Sequence, residues 1–209
     1  MRAGTGGPGD SKSITTVRVG VYGGSFDPPH VGHLILAADA HANLKLDLLL
    51  FVPTFTQPLK RGHKGIAPPE KRLAMLRSVI GEGKDSKFRV ETVEVDRGGL
   101  SYTVETLEEL TRKHLGAELF LIVGEDALES FEKWREPDRI RELATLAVLR
   151  RHPQGERPAG LPAGIVEASS RLVDLASSEI RKRVKAGESI RGFVPESVED
   201  YIRSNGLYR

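Results

Sequence analysis

Apolar positions along the chain fall into short, nearly unbroken runs separated by stretches of helical spacing. Residues 17–22 read Val-Arg-Val-Gly-Val-Tyr and stop at Gly23-Gly24, which predicts a strand entering a tight loop. Pro28-Pro29 cannot continue a helix but can introduce one, so a helix starting near Gly32 is expected, with Leu34, Ile35, Ala38 and Ala42 on its apolar face. Residues 46–52 are nearly all apolar and end at Pro53, the pattern of a strand covered on both faces. The alternation continues: a helix from Pro68-Pro69 to Ile80, an alternating strand over 88–95, and a helix over 103–115 stopped by Gly116. Residues 119–123 form a further buried strand, and a short helical stretch carries Phe131 and Trp134 ahead of residues 140–143. Residues 144–149 read as a strand, 154–164 as a Gly/Pro-rich surface loop, and 165–167 and 171–175 as two short strands. Ser177 or Ser178 is expected to cap a helix running to Ala186, and Pro195 to start a last one ending at Ser204.

Strands alternating with helices throughout predict an α/β fold: a doubly wound, Rossmann-like parallel sheet with helices on both faces and ligands at the carboxyl ends of the strands. Residues 1–16, rich in Gly, Ser and Thr and without an apolar centre, are expected to be a disordered tail. Residues 17–209 then form one domain, with a small helical part over about 177–209.

Composition narrows the function. Among 209 residues, 31 Lys and Arg against 29 Asp and Glu leave a net charge of +2, so no broad basic surface for nucleic acid is expected. No apolar run approaches a transmembrane length, and zero cysteines exclude disulfides, thiol nucleophiles and thiolate metal sites. A cytoplasmic protein without membrane or nucleic-acid partners is the expectation; a homo-oligomer stays open.

Chemistry concentrates in the loop after the first strand, Gly23-Gly24-Ser25-Phe26-Asp27-Pro28-Pro29-His30-Val31-Gly32-His33. The glycines let a phosphate approach the backbone. The following helix start offers unsatisfied N–H groups, and His30 and His33, three apart, can both face that point. The loop lacks Gly-x-Gly-x-x-Gly and is not followed by Gly-Lys-Ser/Thr, which argues against dinucleotide-dependent hydride transfer and P-loop kinase chemistry. Asp27, His30 and His33 make a poor metal set, because Pro28-Pro29 constrain the backbone and no further ligand cluster completes it.

This loop resembles the nucleotidylyl transferase superfamily, whose mark is His-x-Gly-His, here His30-Val31-Gly32-His33. The longer string Gly-Gly-Ser-Phe-Asp-Pro-Pro-His-x-Gly-His is similar to that of the bacterial nicotinate mononucleotide adenylyltransferases. Pantetheine-phosphate adenylyltransferases and glycerol-phosphate cytidylyltransferases resemble it too, typically with Thr at the place of His30 or a different lead-in. The likeness continues at Pro58-Leu59-Lys60, where the family usually has Pro-His-Lys; at Ser101-Tyr102-Thr103-Val104-Glu105-Thr106-Leu107; at Gly124-Glu125-Asp126 with Phe131 and Trp134; and at Leu175-Ala176-Ser177-Ser178-Glu179-Ile180-Arg181. Leu59 and Ala176 depart from the family pattern.

The resemblance implies a nucleotidylyl transferase domain over residues 17–209. It implies that His30, His33, Lys60 and Arg181 are catalytic, and that ATP meets Gly23, Gly24, Ser25, Phe26, His30, His33, Lys60, Gly124, Asp126, Ser177, Ser178 and Arg181. Tyr102 and Thr103 would hold the nicotinate carboxylate, Trp134 would stack on the pyridine ring, and Arg151 (or its neighbour Arg150) would face the nucleotide. Read without it, Trp134 suits a core position, Lys60 a solvated loop, and Arg181, Lys182, Arg183 and Lys185 a solvated helix face. The implied reaction transfers the adenylyl group of ATP to nicotinate mononucleotide, with Mg²⁺ carried on the ATP phosphates and no metal ligand from the protein. The rivals are another acceptor, nicotinamide mononucleotide or phosphopantetheine, and a regulatory module that binds nucleotide without chemistry.

Overall fold

The computed structural model describes residues 16–56, 67–81, 83, 86–151 and 164–209. Six strands, β1 (Arg18–Gly24), β2 (Leu48–Pro53), β3 (Phe88–Val90), β4 (Glu118–Gly124), β5 (Thr145–Arg151) and β6 (Ile165–Ser170), form one sheet in the order β3-β2-β1-β4-β5-β6. Every pairing is parallel, with Val21 beside Leu50 on one flank and Leu121 on the other. This is the doubly wound order, and its direction reverses between β1 and β4, so their carboxyl ends flank the crevice where ligands bind in such sheets. The helices are α1 (Val31–Asn43), α2 (Pro69–Ile80), α3 (Val93–Arg97), α4 (Thr103–Lys113), α5 (Glu125–Glu129), α6 (Pro137–Leu143), α7 (Ser177–Lys185) and α8 (Glu196–Ser204).

Strand alternation sorts the apolar residues into two layers. Val19, Val21, Leu50, Val52, Leu119, Leu121 and Val148 meet Leu107 and Leu110 of α4 and Ile140 of α6 on one face. Leu49, Phe51, Phe120, Ile122 and Leu149 meet Ala37 and Ala40 of α1 and Leu76 of α2 on the other. Each such fully buried aliphatic or aromatic side chain stabilises the fold by roughly 1.5–3 kcal/mol. A third cluster joins α2 to the C-terminal helices: Met75 packs with Ile180, Ile190, Val194, Val198 and Ile202. Among the described residues no helix is long and apolar enough to cross a membrane.

Four expectations need correction. The buried face of α1 runs through Gly32, Ala37 and Ala40, whereas Ala38 and Ala42, expected on it, are exposed. Residues 88–95 are not one strand: β3 ends at Val90 and α3 begins at Val93. Adjacent Val93 and Glu94 are both buried, which strand alternation forbids and a helical turn allows, and the Thr92 hydroxyl bonds Asp96 Oδ2 at 2.6 Å. The region 165–175 holds one strand, because after Ser170 the Arg171 backbone N–H turns to Asp39 Oδ2 (3.0 Å) instead of continuing a ladder. Neither Ser177 nor Ser178 caps α7; Ala176 occupies the N-cap, and the Ser177 hydroxyl donates to the Pro28 carbonyl at 2.9 Å. The tail over 1–15 and most of the 154–164 loop lie outside the described residues.

Candidate active site

The loop between β1 and α1 bends sharply at Phe26, which sits in the left-handed region with φ 47°. Its ring is buried and lies over Gly24, where a Cβ would come within 3.1 Å of Cζ. Around Gly23 the space is open, with nothing within 4 Å of the position a Cβ would take. The backbone there is accessible to a ligand in the way a phosphate requires. The loop is fixed from below by Arg72, an α2 residue only 2% exposed. Its guanidinium donates to the carbonyls of Ser25 (2.7 Å), Thr54 (2.7 Å), Phe55 (3.0 Å) and Ala67 (3.0 Å). One planar fork thus ties the loop after β1 to the loop after β2.

His30 and His33 stack with ring centroids 3.6 Å apart. Gly32 makes room for this, since a Cβ there would sit 3.0 Å from the His30 ring and 3.1 Å from Val173. The His30 backbone N–H donates to His33 Nδ1 at 3.2 Å. A neutral His33 therefore carries its proton on Nε2 and presents it as a donor. Burial pushes the His30 imidazole down to about 4, and burial followed by the neighbouring His30 holds His33 well below the ordinary histidine range. Both rings are neutral at pH 7, so they serve as hydrogen-bond donors or acceptors and not as fixed cations. His30 Nδ1 is buried without a hydrogen-bond partner in the protein.

Arg181 completes this side. Its Nη1 donates to the Asp27 carbonyl at 2.8 Å and lies 3.6 Å from Asp27 Oδ2. Ser177 reaches the same loop through Pro28, while Ser178 is exposed in the first turn of α7. The starts of α4 and α7 carry no side-chain cap, which leaves their first backbone N–H groups to other partners. Tyr102 is the α4 N-cap and Thr103 its first helical residue. The Arg135 guanidinium sits over the Tyr102 ring, 4.7 Å from its centroid. Trp134 packs beside Phe131 with centroids 5.5 Å apart, and its indole N–H donates to the Ser130 hydroxyl at 3.4 Å.

The structure thus brings together Gly23, Gly24, Ser25, Phe26, His30, His33, Ser177 and Arg181. Tyr102 and Trp134 pack against the apolar cluster on the α4 and α6 face of the sheet. Among the described residues no hydrogen bond or ring contact joins either of them to the histidine pair. Gly124 ends β4 and Asp126 is exposed in α5, one strand over from β1. Lys60 lies outside the described residues, as do the side chains of Arg150 and Arg151, whose backbone closes β5. Sequence reasoning missed Arg72 and Tyr208. Arg72 was signalled by its place in the buried stripe of α2 with Met75 and Leu76; Tyr208, whose hydroxyl meets Asp27, had no local signal.

Comparison with known proteins places this geometry. Residues 21–183 match the family model described as cytidylyltransferase-like. The chain is 46% identical over 202 residues to a protein of Gemmatimonas aurantiaca named as a probable nicotinate-nucleotide adenylyltransferase, covering 92% of this chain and 93% of that one. The chain belongs to the cytidylyltransferase-like family, among the nicotinate-nucleotide adenylyltransferases. A Thermus thermophilus relative of the same name is 43% identical over 92% of this chain and its own full length. The fold is shared with a Plasmodium falciparum nicotinic acid mononucleotide adenylyltransferase solved with NaAD, at a TM-score of 0.70 and 19% identity, covering 92% of this chain and 97% of that one. It is shared as well with a Vibrio parahaemolyticus structure, at a TM-score of 0.67 and 18% identity, covering 93% and 96%.

Proposed function

We propose that this nucleotidyltransferase moves the adenylyl group of ATP to nicotinate mononucleotide, giving nicotinate adenine dinucleotide and pyrophosphate in NAD biosynthesis. The observation that carries this reading is the stacked, neutral His30–His33 pair beside the open backbone at Gly23, with Arg181 held against the same loop. A phosphate oxygen of the mononucleotide attacks the α-phosphorus of ATP in line. A new P–O bond forms, the bond to the bridging oxygen breaks, and the electron pair leaves with pyrophosphate. No covalent enzyme intermediate is needed, so the protein's part is to position two anions and stabilise charge as it develops. His33 Nε2–H donates to a phosphoryl oxygen, and the His30 ring stacked on it serves the same ligand. Arg181 and Lys60 offset the charge on the leaving pyrophosphate.

The acceptor side of the proposal places the nicotinate carboxylate at the uncapped start of α4, near Tyr102 and Thr103, where free backbone N–H groups and the helix dipole favour an anion. Trp134 lies against the pyridine ring and Arg151 near the nucleotide. Asp126, one strand over, suits ribose hydroxyls, and Gly124 and Ser178 line the ATP side. Among the described residues no three acidic or imidazole groups converge on a cation position. Mg²⁺ would be carried on the ATP phosphates.

The test is pyrophosphate release from ATP and Mg²⁺ with nicotinate mononucleotide, nicotinamide mononucleotide and phosphopantetheine supplied separately. Release with nicotinate mononucleotide, and far less with its amide analogue, is expected, because a backbone N–H aimed at the second carboxylate oxygen meets the NH2 donor of a carboxamide. Equal use of the acid and the amide removes the α4 assignment. Release with phosphopantetheine alone overturns the acceptor.

A further inference from the structure

The C-terminal segment contributes more than packing. Four of its residues reach the loop that carries the histidines. Ser177 Oγ donates to the Pro28 carbonyl at 2.9 Å, Arg181 Nη1 to the Asp27 carbonyl at 2.8 Å, the Phe193 carbonyl accepts from the Val31 N–H at 3.0 Å, and Tyr208 Oη donates to Asp27 Oδ1 at 2.6 Å. The last contact links groups 181 positions apart and lies beyond α8, where Tyr208 takes the left-handed conformation with φ 65°.

Asp27 is the point on which these contacts converge. It is 1% exposed, and a carboxylate so placed must be matched by donors or it destabilises its surroundings. Oδ1 accepts from Tyr208 and from the Ala67 N–H at 3.0 Å, and Oδ2 faces Arg181 at 3.6 Å. Burial and the Asp27 charge both hold the Tyr208 phenol protonated, so it acts as the donor of this pair. Arg181 spends one N–H on the Asp27 carbonyl. Among the described residues its Nε and Nη2 have no protein partner, and these are the donors a phosphate would take. Rotation of the Asp27 carboxylate would shift the Oδ2 charge that faces Arg181.

We propose that Tyr208 is a positioning residue for adenylyl transfer: its hydroxyl fixes the Asp27 carboxylate, and Asp27 in turn fixes Arg181 beside the phosphate-facing loop. This rests on the reaction proposed above. Tyr208 touches no reacting atom; it acts through Asp27. The side chain packs in the third apolar cluster with Leu207 and Tyr201, so removing the hydroxyl alone leaves the ring's apolar contacts in place.

The experiment compares wild type, Tyr208→Phe, Asp27→Asn and the double variant in pyrophosphate release with ATP and nicotinate mononucleotide, at a temperature where circular dichroism shows each folded. Tyr208→Phe is expected to lower kcat about tenfold, the scale of one buried hydrogen bond, with KM for nicotinate mononucleotide unchanged. In the Asp27→Asn background the same change is expected to cost less than about twofold, because the group it acts through is already altered. If Asp27→Asn does not fold, Arg181→Ala supplies the second background with the same expectation. Wild-type kcat in Tyr208→Phe, or a full additive loss in the second background, overturns the proposal while leaving an active wild type and its reaction intact. A wild type that releases no pyrophosphate overturns the reaction and this proposal with it.

Discussion

Around the loop after β1 the charged groups are sunk: Asp27 and Arg72 are 1% and 2% exposed, with two hydrogen bonds of 2.6 and 3.0 Å to Asp27 Oδ1 and four of 2.7–3.0 Å from Arg72. Beside α4 and α6 the charged groups stand near water. Arg135 bonds Glu105 at 2.8 Å and Arg139 bonds Glu108 at 3.4 Å, with the two arginine side chains 49% and 46% exposed. The first arrangement suits the part of the reaction that tolerates little movement, because transition-state charge is stabilised only by donors already in place. The same guanidinium chemistry is thus a buried brace in one region and a solvent-facing cover in the other, and burial makes the difference.

The contrast is broken most severely by Arg72→Met. This leaves the carbonyls of Ser25, Thr54, Phe55 and Ala67 without their donor and takes away one of the two cations near Asp27, Arg181 remaining, and removal of one partner from a buried charged network costs about 3–5 kcal/mol. A urea titration should show the midpoint fall with the slope unchanged. Arg72→Lys should recover only part of the loss, since a point charge cannot span four carbonyls. Full recovery by Lys would mean that charge alone, not the fork, holds the loops.

His33→Ala comes next. It removes one preorganised donor, and turnover should fall by about 10² or more, close to 2.7 kcal/mol on the barrier. Near-normal pyrophosphate release would remove His33 from the chemistry. The pair also predicts a pH dependence of stability. The folded His30 titrates near 4 against about 6.5 in the unfolded chain, and His33 is lowered in the same direction. Between those values the unfolded state binds protons that the native state does not. Stability is therefore full above about pH 6.5 and falls as pH drops toward 4, by about 1.4 kcal/mol per pH unit for each such histidine. Urea midpoints measured from pH 7.5 to 5 should show this slope, and His30→Gln should lessen it; an unchanged slope in the variant would mean that His30 is not the group responsible.

Legibility in the sequence divides along the same line. The strands β1, β2, β4 and β5 were readable because sheets covered on both faces leave unbroken apolar runs, and the Gly23–His33 loop because its residue types are the chemistry. The end of β3 was not, since whether Val93 and Glu94 alternate or share a turn depends on what packs over them. The Ser177 hydroxyl has the local pattern of a cap, but its partner, the Pro28 carbonyl, is 149 positions away. Asp27 and Tyr208 are joined only by the packing of α7 and α8 onto α2, a tertiary fact without a local period. Arg72 lay in plain view within an apolar stripe. A charge at such a position asks for buried partners, and that question could have been put from the sequence alone.

The smallest effect sharpens the comparison from the other side. Arg135→Ala removes the bond to Glu105 and the guanidinium over Tyr102, yet both groups stay in contact with solvent. Exposed ion pairs contribute about 0.2–1 kcal/mol, and an exposed cation over an aromatic ring about 0.5–1 kcal/mol. The loss of stability should therefore stay near 1 kcal/mol at low salt, a small part of that expected for Arg72→Met, and shrink at about 1 M salt as the ion-pair share is screened. Since the brace beneath His30 and His33 is untouched, kcat and KM for ATP should remain at wild-type values, and any change should fall on KM for nicotinate mononucleotide. A drop in kcat comparable to that of His33→Ala would show that the α4 and α6 wall is as rigidly coupled to the chemistry as the loop after β1, and the distinction between brace and cover would disappear.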